Sequence, residues 1–167
     1  QIYEKLNKLN KALNLYKKVS NKHNLYIDVQ RNIALIKSKQ GNFEEAEKIL
    51  LNLINKNNLN NKVKIALADL NRLEKYYQKA IKYYTEVINN QNESFSDYSR
   101  VFYMRGICYE QSKDWDLAET DFFKSLEMNP DDSDVLNYLA YGWLERNENF
   151  DIAISMLNKA YIKNPNS

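Results

Sequence analysis

The residues of this sequence that could take part in nucleophilic or metal chemistry are few and far apart. The chain has one cysteine, Cys108, and one histidine, His23, separated by 85 positions. A cysteine nucleophile needs a base to deprotonate it, and a structural zinc site needs four ligands. Cys108 stands in an apolar, helical pattern, so we interpret it as a buried small hydrophobe. His23 stands in a polar turn, and we interpret it as an exposed loop residue.

The acidic run DDSD at residues 131–134 is the one stretch that could suggest calcium. A calcium loop needs oxygen ligands at spaced positions and a glycine turn, whereas this run lies between Pro130 and Val135. We therefore interpret it as the start of a helix, whose dipole the acidic side chains complement. The three glycines form no phosphate-binding loop, and no two carboxylates have a spacing that indicates acid–base catalysis. The sequence predicts neither an enzyme nor a bound cofactor or metal.

The segment that organises the rest of the chain is residues 113–130, KDWDLAETDFFKSLEMNP. Asp114 can cap the start of a helix and Pro130 stops it, and apolar residues between them recur three and four positions apart, as on one helical face. The pattern occurs four times, at Phe43, Ala46, Leu50 and Leu53; Tyr77, Ala80, Tyr84 and Val87; Trp115, Ala118, Phe122 and Ser125; and Phe150, Ala153, Leu157 and Ala160. The sequence therefore predicts a repeated amphipathic helix.

The small residue at the centre of each such helix sets the repeat length. The steps from Ala12 to Ala46 and from Ala46 to Ala80 are 34 residues each, and the next two, to Ala118 and Ala153, are 38 and 35. A period of about 34 with two helices per unit indicates a repeat architecture. We place the four extra residues in the polar stretch 90–96 and the single extra residue in the turn 146–149. The predicted units are residues 1–24 (a partial repeat, mainly its second helix), 25–58, 59–98 with an extended loop, 99–131 and 132–167.

Each complete unit begins with a first helix that pairs with the one just described. We predict these first helices at residues 25–39, 60–73, 97–111 and 132–146. Each has a small residue twelve or thirteen positions before the second-helix alanine, which lets the paired helices approach closely. These small residues are Ala34, Ala68, Gly106 and Ala140.

At the amino-terminal end we expect only Ile2 and Tyr3 to remain of a first helix. Neither end carries the usual polar cap, so we expect a fragment of a longer array, or a dimer that covers the ends.

These residues resemble the tetratricopeptide repeat, whose consensus places a large residue, leucine, glycine or alanine and tyrosine in its first helix, and glycine, tyrosine, alanine, phenylalanine, alanine and proline through its second. The last two units match it at Phe102, Gly106, Tyr109, Trp115, Ala118, Phe122 and Pro130, and at Leu136, Leu139, Ala140, Trp143, Phe150, Ala153, Leu157, Ala160 and Pro165. The first unit departs with Lys37 at the first-helix aromatic position, and the second has Asn71 there and Asn92 in place of the proline. The last unit is also similar to one common in long bacterial proteins of this family.

The resemblance implies an all-α, right-handed superhelical solenoid of antiparallel helix pairs that acts as a protein-interaction scaffold. In the family, the residues one, four and eight after the start of each first helix point into a concave groove. The implied partner-binding residues are Asp28, Arg31, Leu35, Lys62, Ile65, Asp69, Arg100, Tyr103, Ile107, Asp134, Asn137 and Tyr141. Apolar anchors mixed with charges of both signs suit an extended peptide or a helix as the partner.

One known ligand of the family is not expected here. Some members clamp the terminal carboxylate of heat-shock chaperones with lysines, asparagines and an arginine on three successive first helices. In this chain only Arg31 and Arg100 approximate the basic positions, while Leu35, Ala66 and Met104 stand at the others. We therefore reject the chaperone clamp.

Charge is distributed unevenly along a chain whose net charge is +2. Lys and Arg outnumber Asp and Glu by six in residues 1–60 and by two in residues 61–96, whereas the acidic residues lead by six in residues 97–167. An elongated molecule would then be positive at one end and negative at the other. The alternative function is thus a structural module that self-associates head-to-tail through its oppositely charged, uncapped ends. A further alternative, an accessory module of a larger enzyme or transport assembly, depends on flanking sequence.

The small net charge and the acidic carboxyl-terminal half argue against a nucleic-acid partner. Most of the 13 tyrosines fall at repeat core positions, such as Tyr77, Tyr84 and Tyr109, rather than forming a base-stacking platform. No apolar run approaches ~18 residues, so the sequence predicts no membrane insertion, and no signal peptide is recognisable. We expect a soluble protein, either cytoplasmic or, if an amino-terminal segment is missing, bacterial periplasmic.

Overall fold

The chain is α-helical throughout the part that the structure describes. The computed structural model describes residues 2–56, 61–90 and 97–163, without the side chains of residues 2–7, 9 and 56. Within these ranges the helices are α1 (Ile2–Tyr16), α2 (Tyr26–Lys39), α3 (Phe43–Lys56), α4 (Asn61–Leu73), α5 (Tyr77–Asn89), α6 (Tyr98–Gln111), α7 (Trp115–Met128), α8 (Ser133–Arg146) and α9 (Phe150–Lys163). The all-α prediction is confirmed. The predicted first helices are α2, α4, α6 and α8, and each begins one residue later than predicted and ends at the predicted residue.

The amino-terminal end differs from the prediction. Ile2 and Tyr3 were to be the remnant of a first helix, but α1 runs without a break from Ile2 to Tyr16. This prediction is wrong because residues 2–16 contain neither glycine nor proline, so nothing ends the helix between its two halves. Leu13 of α1 packs with Val29 and Ile33 of α2 in one buried cluster.

Consecutive helices pack as pairs, and the small residues predicted for the four complete units are buried, whereas Ala12 of α1 is only half-buried. The pairs are α2 with α3, α4 with α5, α6 with α7, and α8 with α9. Gly106 shows why a small residue is needed, because an added Cβ there would lie 2.7 Å from Cε1 of Phe122 and 3.3 Å from the carbonyl oxygen of Ala118. The other seven are alanines, at most 1% exposed, at positions 34, 46, 68, 80, 118, 140 and 153.

The chain divides into two compact units, residues 1–90 and 91–167. In the first unit, a core between α2, α3 and α4 contains Leu50 and Leu67. In the second unit, a core between α6, α7, α8 and α9 contains Phe122 and Leu139. Fully burying a side chain of this size contributes roughly 1.5–3 kcal/mol to stability. The predicted four-residue insertion falls in residues 90–96, of which 91–96 lie outside the described residues.

Each helix pair is joined by a three-residue turn that contains a left-handed residue. The φ angle is +80° at Gly41, +63° at Lys75, +67° at Lys113 and +56° at Asn147. In each turn the N–H of the next residue donates to the carbonyl five positions back, as in a Schellman motif. The four N···O distances are 2.9 Å for Asn42 to Lys37, 2.8 Å for Tyr76 to Asn71, 2.9 Å for Asp114 to Tyr109 and 2.9 Å for Glu148 to Trp143. The same hydrogen bond therefore ends all four first helices.

The fourth turn holds the predicted extra residue. Six positions separate its left-handed residue, Asn147, from Ala153, whereas five separate Gly41 from Ala46. Asn149 in this turn also has a positive φ, +44°. The insertion thus lies after the Schellman motif and leaves the pairing of α8 with α9 in register.

The acidic residues before α7 and α8 act differently. Oδ1 of Asp132 accepts hydrogen bonds from the N–H groups of Asp134 at 3.1 Å and Val135 at 3.3 Å, so it caps α8. Asp114 precedes α7, but its side chain makes no capping hydrogen bond to the described helix, and the prediction that it caps α7 is wrong. The reason is its backbone, which the turn holds at φ −106° and ψ 73°, whereas Asp132 is extended at φ −68° and ψ 105°.

Candidate interaction surface

The cysteine and the histidine lie in the environments that the sequence predicts. Cys108 is fully buried within α6. His23 is exposed in the turn before α2, where its Nδ1 accepts a hydrogen bond from the N–H of Leu25 at 3.1 Å. Among the residues that the structure describes, no group of three or more His, Cys, Asp or Glu side chains could hold a metal ion.

The acidic run before α8 contacts backbone donors and lysines. Asp132 caps α8, and Asp131 accepts from Nζ of Lys159 at 2.9 Å and from Nζ of Lys163 at 3.0 Å. Lys159 also donates to the carbonyl of Pro130 at 2.9 Å. Hydrogen bonds from the two ammonium groups hold the pKa of Asp131 below its ordinary value. The interpretation of the run as a helix start is confirmed, and the run also ties α9 to the turn between α7 and α8.

In the first unit, α2 and α4 carry six of the twelve residues predicted to contact a partner. Leu35 and Lys62 are exposed; Asp28, Arg31 and Asp69 are half-buried; Ile65 is buried. Asp28 and Arg31 form an ion pair at 3.0 Å. Asp69 accepts a hydrogen bond from the hydroxyl of Tyr84 in α5 at 2.5 Å. Of these six, Leu35 and Lys62 are therefore the most accessible to a partner.

In the second unit, α6 and α8 carry the other six. Arg100, Asp134 and Tyr141 are exposed; Asn137 is half-buried; Tyr103 and Ile107 are buried. The ring of Tyr103 meets the ring of Tyr138 edge-on, with a centroid distance of 5.6 Å. This contact brings a face of α6 and a face of α8 together within the unit.

Tyr138 is a surface residue that the sequence analysis missed. Its side chain is 40% exposed, and its ring also lies 6.0 Å from that of Phe122. It stands one position after Asn137 and so outside the positions that the resemblance implies. The signal that could have identified it is the spacing of Tyr138 and Tyr141, because residues three apart share a helical face. We define the α6–α8 surface as Arg100, Met104, Asp134, Asn137, Tyr138 and Tyr141, with Tyr103 and Ile107 beneath them.

A buried ion pair holds α6 on α7. Arg105 donates from Nε and from one terminal nitrogen to the two carboxylate oxygens of Asp121, each at 2.7 Å. Its guanidinium also lies 5.6 Å from the ring centroid of Phe102 and 5.5 Å from that of Tyr109. Burial raises the pKa of Asp121 although the guanidinium acts in the opposite direction. Burial would lower the pKa of Arg105, but its hydrogen bonds to Asp121 raise it overall. A two-pronged pair of this kind fixes orientation as well as distance.

Two contacts hold α8 on α7. Nε1 of Trp143 donates a hydrogen bond to Oε1 of Glu119 at 2.5 Å. The ring of Trp115 lies against Gly142, where an added Cβ would come within 2.0 Å of Cη2. Both helices that carry the α6–α8 surface are therefore held on the same second helix, α7.

Two cavities in the described part of the chain lie away from the predicted positions. One, of 380 Å³, lies in the second unit and is lined by Phe123, Leu126, Glu127, Pro130, Leu136, Ser155, Met156 and Lys159. The other, also of 380 Å³, lies between α2 and α3 and is lined by Tyr26, Gln30, Ile49, Asn52 and Leu53. None of the twelve predicted residues lines either of these two cavities.

Sequence comparison identifies one repeat directly. Residues 99–132 match the family profile of the tetratricopeptide repeat. The chain is also 33% identical over 95 residues to a TPR repeat-containing protein of Methanocaldococcus jannaschii, a match that covers 57% of this chain. The chain spans only 16% of the length of that relative.

Solved structures share the fold of most of this chain. The crystal structure of MamA has a TM-score of 0.76 at 17% identity and covers 97% of this chain and 92% of its own. PilF of Pseudomonas aeruginosa has a TM-score of 0.73 at 20% identity, covering 80% and 59%. Cut9, in the APC/C hetero-tetramer Cut9–Hcn1, has a TM-score of 0.72 at 17% identity, covering 83% and 27%. The fold is accordingly an all-α solenoid of helix pairs. No helix in the described ranges is both long and apolar enough to cross a lipid bilayer.

Proposed function

We propose that this chain is a protein-interaction module that binds a segment of a partner on the α6–α8 surface. The proposal is supported by the match of residues 99–132 to the tetratricopeptide repeat and by a fold shared with solved solenoid structures. The observation that carries the proposal is the exposed aromatic pair on α8, where Tyr138 is 40% and Tyr141 59% exposed. Tyrosine is enriched among the residues that dominate binding energy, because its ring offers a large contact area at little cost in conformational entropy.

The polar residues around the tyrosines suit a peptide. Asn137 can donate to and accept from a peptide backbone at the same time, because its amide carries both functions. Arg100 and Asp134 lie on α6 and α8 with opposite charges, which favours a segment that carries both signs. The partner segment is therefore an extended or helical peptide with an aromatic or aliphatic anchor between charged residues. In the first unit, Leu35, Lys62 and the Asp28–Arg31 pair form a second proposed contact region on the first helices.

The similar structures support a binding role without identifying the partner. Cut9 was solved in a hetero-tetramer with Hcn1, so one protein of this fold assembles with another chain. The two other functions that the sequence suggests stay predictions. Head-to-tail association would use side chains of α1, of which those at residues 2–7 and 9 lie outside the described ones. The role of an accessory module depends on residues beyond this chain.

The proposal is tested by selecting peptides from a random display library on the whole chain and measuring their dissociation constants by calorimetry. We expect Tyr141→Ala to weaken selected peptides at least tenfold, since a hot-spot truncation costs about 1.4 kcal/mol or more. The matched control is Tyr161→Ala, which removes an equally exposed tyrosine from α9 and should change affinity less than about twofold.

Two results would overturn this assignment. A library that yields no specific peptide contradicts a peptide-binding surface. Peptides whose affinity is unchanged by both Tyr141→Ala and Tyr138→Ala bind elsewhere, and the α6–α8 surface is then not the site.

A further inference from the structure

Two exposed carboxylates bracket the exposed tyrosines of α8 on one side of the helix. Asp134, Tyr138, Tyr141 and Glu145 follow one another at intervals of four, three and four, so all four lie on one helical face. Asp134 is exposed, and the side chain of Glu145 is 74% exposed. Residues 133–145 contain no lysine or arginine. We call these four residues the α8 acidic–aromatic face.

The repeat itself does not require this combination. The same four positions hold Asp28, Asn32, Leu35 and Lys39 on α2; Lys62, Ala66, Asp69 and Leu73 on α4; and Arg100, Met104, Ile107 and Gln111 on α6. Each of those three helices has a lysine or an arginine at one end of the face and no aromatic residue on it. Among the first helices α2, α4, α6 and α8, only α8 has carboxylates at both ends with two rings between them, so helix pairing does not explain the combination.

The neighbouring arginine does not neutralise this face. Arg146 follows Glu145 directly, but its guanidinium lies 4.1 Å from the ring centroid of Trp115, and its Nη1 donates to the carbonyl of Gly142 at 2.9 Å. The same nitrogen lies 3.9 Å from Oε2 of Glu145, beyond the usual length of a hydrogen bond. Asp134 forms no ion pair with any residue that the structure describes. The negative charge of the face is therefore left for a partner to compensate.

The ends of this face stay accessible when another first helix packs beside it. On α6, Arg100 and Gln111 occupy the two end positions, and both are exposed although α6 contacts α8. On α2, which contacts α4, Lys39 is exposed and Leu35 is 47% exposed. The carboxylates of α8 occupy the same end positions, so a further first helix beside α8 would still leave them open to a partner.

Resting on the proposed function, we propose that the partner segment carries a basic side chain, best an arginine, which lies over the two rings of the α8 acidic–aromatic face and between its two carboxylates. A cation is attracted to the face of a tyrosine ring and, at the same time, to a carboxylate beside it. A guanidinium fits better than an ammonium, because it is planar, stacks on rings and donates to a carboxylate through two N–H groups. Arg100 borders the surface on α6, so the acidic residue of the segment lies toward α6 and the basic residue toward α8.

Peptides selected from a random display library on the whole chain serve as probes for this cation. Their dissociation constants are measured by calorimetry at about 50 mM and about 300 mM salt, on either side of physiological screening. We expect one position of the selected peptides to be arginine or lysine. Replacing that residue by glutamine should weaken binding at least about fivefold, and binding of the unchanged peptides should weaken at the higher salt.

Neutral substitutions in the protein locate the cation. We expect Glu145→Gln combined with Asp134→Asn to weaken the selected peptides at least about fivefold. The same pair should change the affinity of the glutamine-substituted peptides less than about twofold, because the interaction that it removes is already absent. The matched control is Asp114→Asn combined with Asp116→Asn, which makes the same change in net charge at exposed residues around the start of α7. It should change affinity less than about twofold.

The outcomes separate this inference from the proposed function. Peptides that depend on Tyr141 but need no basic residue overturn the inference and leave the proposed function in place, whereas a library that yields no peptide overturns both. An equal effect of the control pair would indicate a general attraction of charge and also overturn the inference. So would a mass that rises with concentration in the parent and not in the Glu145→Gln, Asp134→Asn variant, because a second copy of the chain would then be the occupant.

Discussion

The four turns inside the helix pairs use the same left-handed position with different residues. Gly41 occupies it in the first complete unit, while Lys75, Lys113 and Asn147 occupy it in the others. A residue with a Cβ pays roughly 1 kcal/mol to adopt this conformation, and asparagine tolerates it better than lysine. Since the Schellman hydrogen bond is present in all four turns, the turn geometry is imposed by helix pairing and not by the residue that occupies it.

Exchanging the residue at this position should change stability in a predictable direction. We expect Lys113→Gly to raise the free energy of unfolding by about 0.5–1 kcal/mol, because the strain is relieved. Gly41→Ala should lower it by about 1 kcal/mol, although an added Cβ at Gly41 would meet no atom within 4 Å, because only the backbone conformation is penalised. Urea denaturation followed by circular dichroism measures both. If Lys113→Gly lowers the free energy of unfolding, the lysine side chain contributes more stability than the strained backbone costs.

Tyr84 and Asp69 form the buried polar contact of the second complete unit. Burial, followed by the charge of Asp69 and their hydrogen bond, raises the pKa of the Tyr84 hydroxyl above its ordinary value of 10. A group whose pKa is raised on folding stabilises the fold fully below the pKa of the unfolded chain. That stabilisation is lost as the pH rises above about 10, because the unfolded state then releases a proton that the folded state retains.

Tyr84→Phe should reveal this contribution. At pH 7 we expect the variant to lose about 1 kcal/mol of stability, the usual value of a removed buried hydrogen bond. Between pH 10 and about 11.5 the parent should lose stability more steeply than the variant, so the two curves converge. Urea denaturation at a series of pH values measures this difference. Parallel curves over that range would mean that Tyr84 is not protected from ionisation by the fold.

At the scale of the helices, close approach depends on particular pairs of large and small residues. Gly142 of α8 faces the ring of Trp115 of α7, and the corresponding positions in the other first helices hold Ile36, Leu70 and Cys108. The small residue is therefore specific to the α7–α8 contact. It compensates for the tryptophan at the start of α7, which fills the space that a side chain on α8 would otherwise occupy.

Gly142→Ala should disturb this contact. Its Cβ would lie 2.0 Å from the indole ring, so we expect a loss of about 1–3 kcal/mol from overpacking. In a Trp115→Leu background the same change should cost much less, because the ring that it strikes is gone. Tyr141→Ala, at the exposed neighbouring position, serves as the control and should stay within about 0.5 kcal/mol of the parent. Equal losses in both backgrounds would contradict the proposed clash.

At the scale of the whole molecule, the chain has two cores and an uneven charge. Residues 1–90 carry 17 Lys and Arg against 8 Asp and Glu, whereas residues 91–167 carry 7 against 14. A partner of one net charge is therefore attracted by one unit and repelled by the other, an effect that salt reduces over a Debye length of about 8 Å at physiological ionic strength. Charge thus gives the two units different preferences for partners.

The single cysteine of the chain reports on the opening of the second unit. Because Cys108 is fully buried in α6, we expect a thiol reagent to label the native chain at least about 10³-fold more slowly than the chain in urea. Gly142→Ala should raise the labelling rate about tenfold for each 1.4 kcal/mol that it costs, if exposure of the thiol needs the whole unit to open. If Gly142→Ala leaves the labelling rate unchanged, α6 opens without the rest of the unit.

Much of the fold follows from local sequence, because its determinants are local. The period of about 34, the small residues and the turn positions predict the first helices to within one residue at each end, since helix formation and termination depend on neighbouring residues. The same reasoning was wrong at two places where the local sequence signal was weak. It divided residues 2–16 between two helices, although no glycine or proline there ends a helix. It also assigned Asp114 as a helix cap, although the turn holds the backbone of Asp114 in a conformation in which its side chain makes no capping hydrogen bond.

What the tertiary structure alone decides is which side of each helix stays accessible. Leu35, Ile107 and Tyr141 were predicted from the same repeat position, yet Leu35 and Tyr141 are exposed while Ile107 is buried. Periodicity states which residues share a face, but the size and direction of side chains on neighbouring helices determine whether that face is covered.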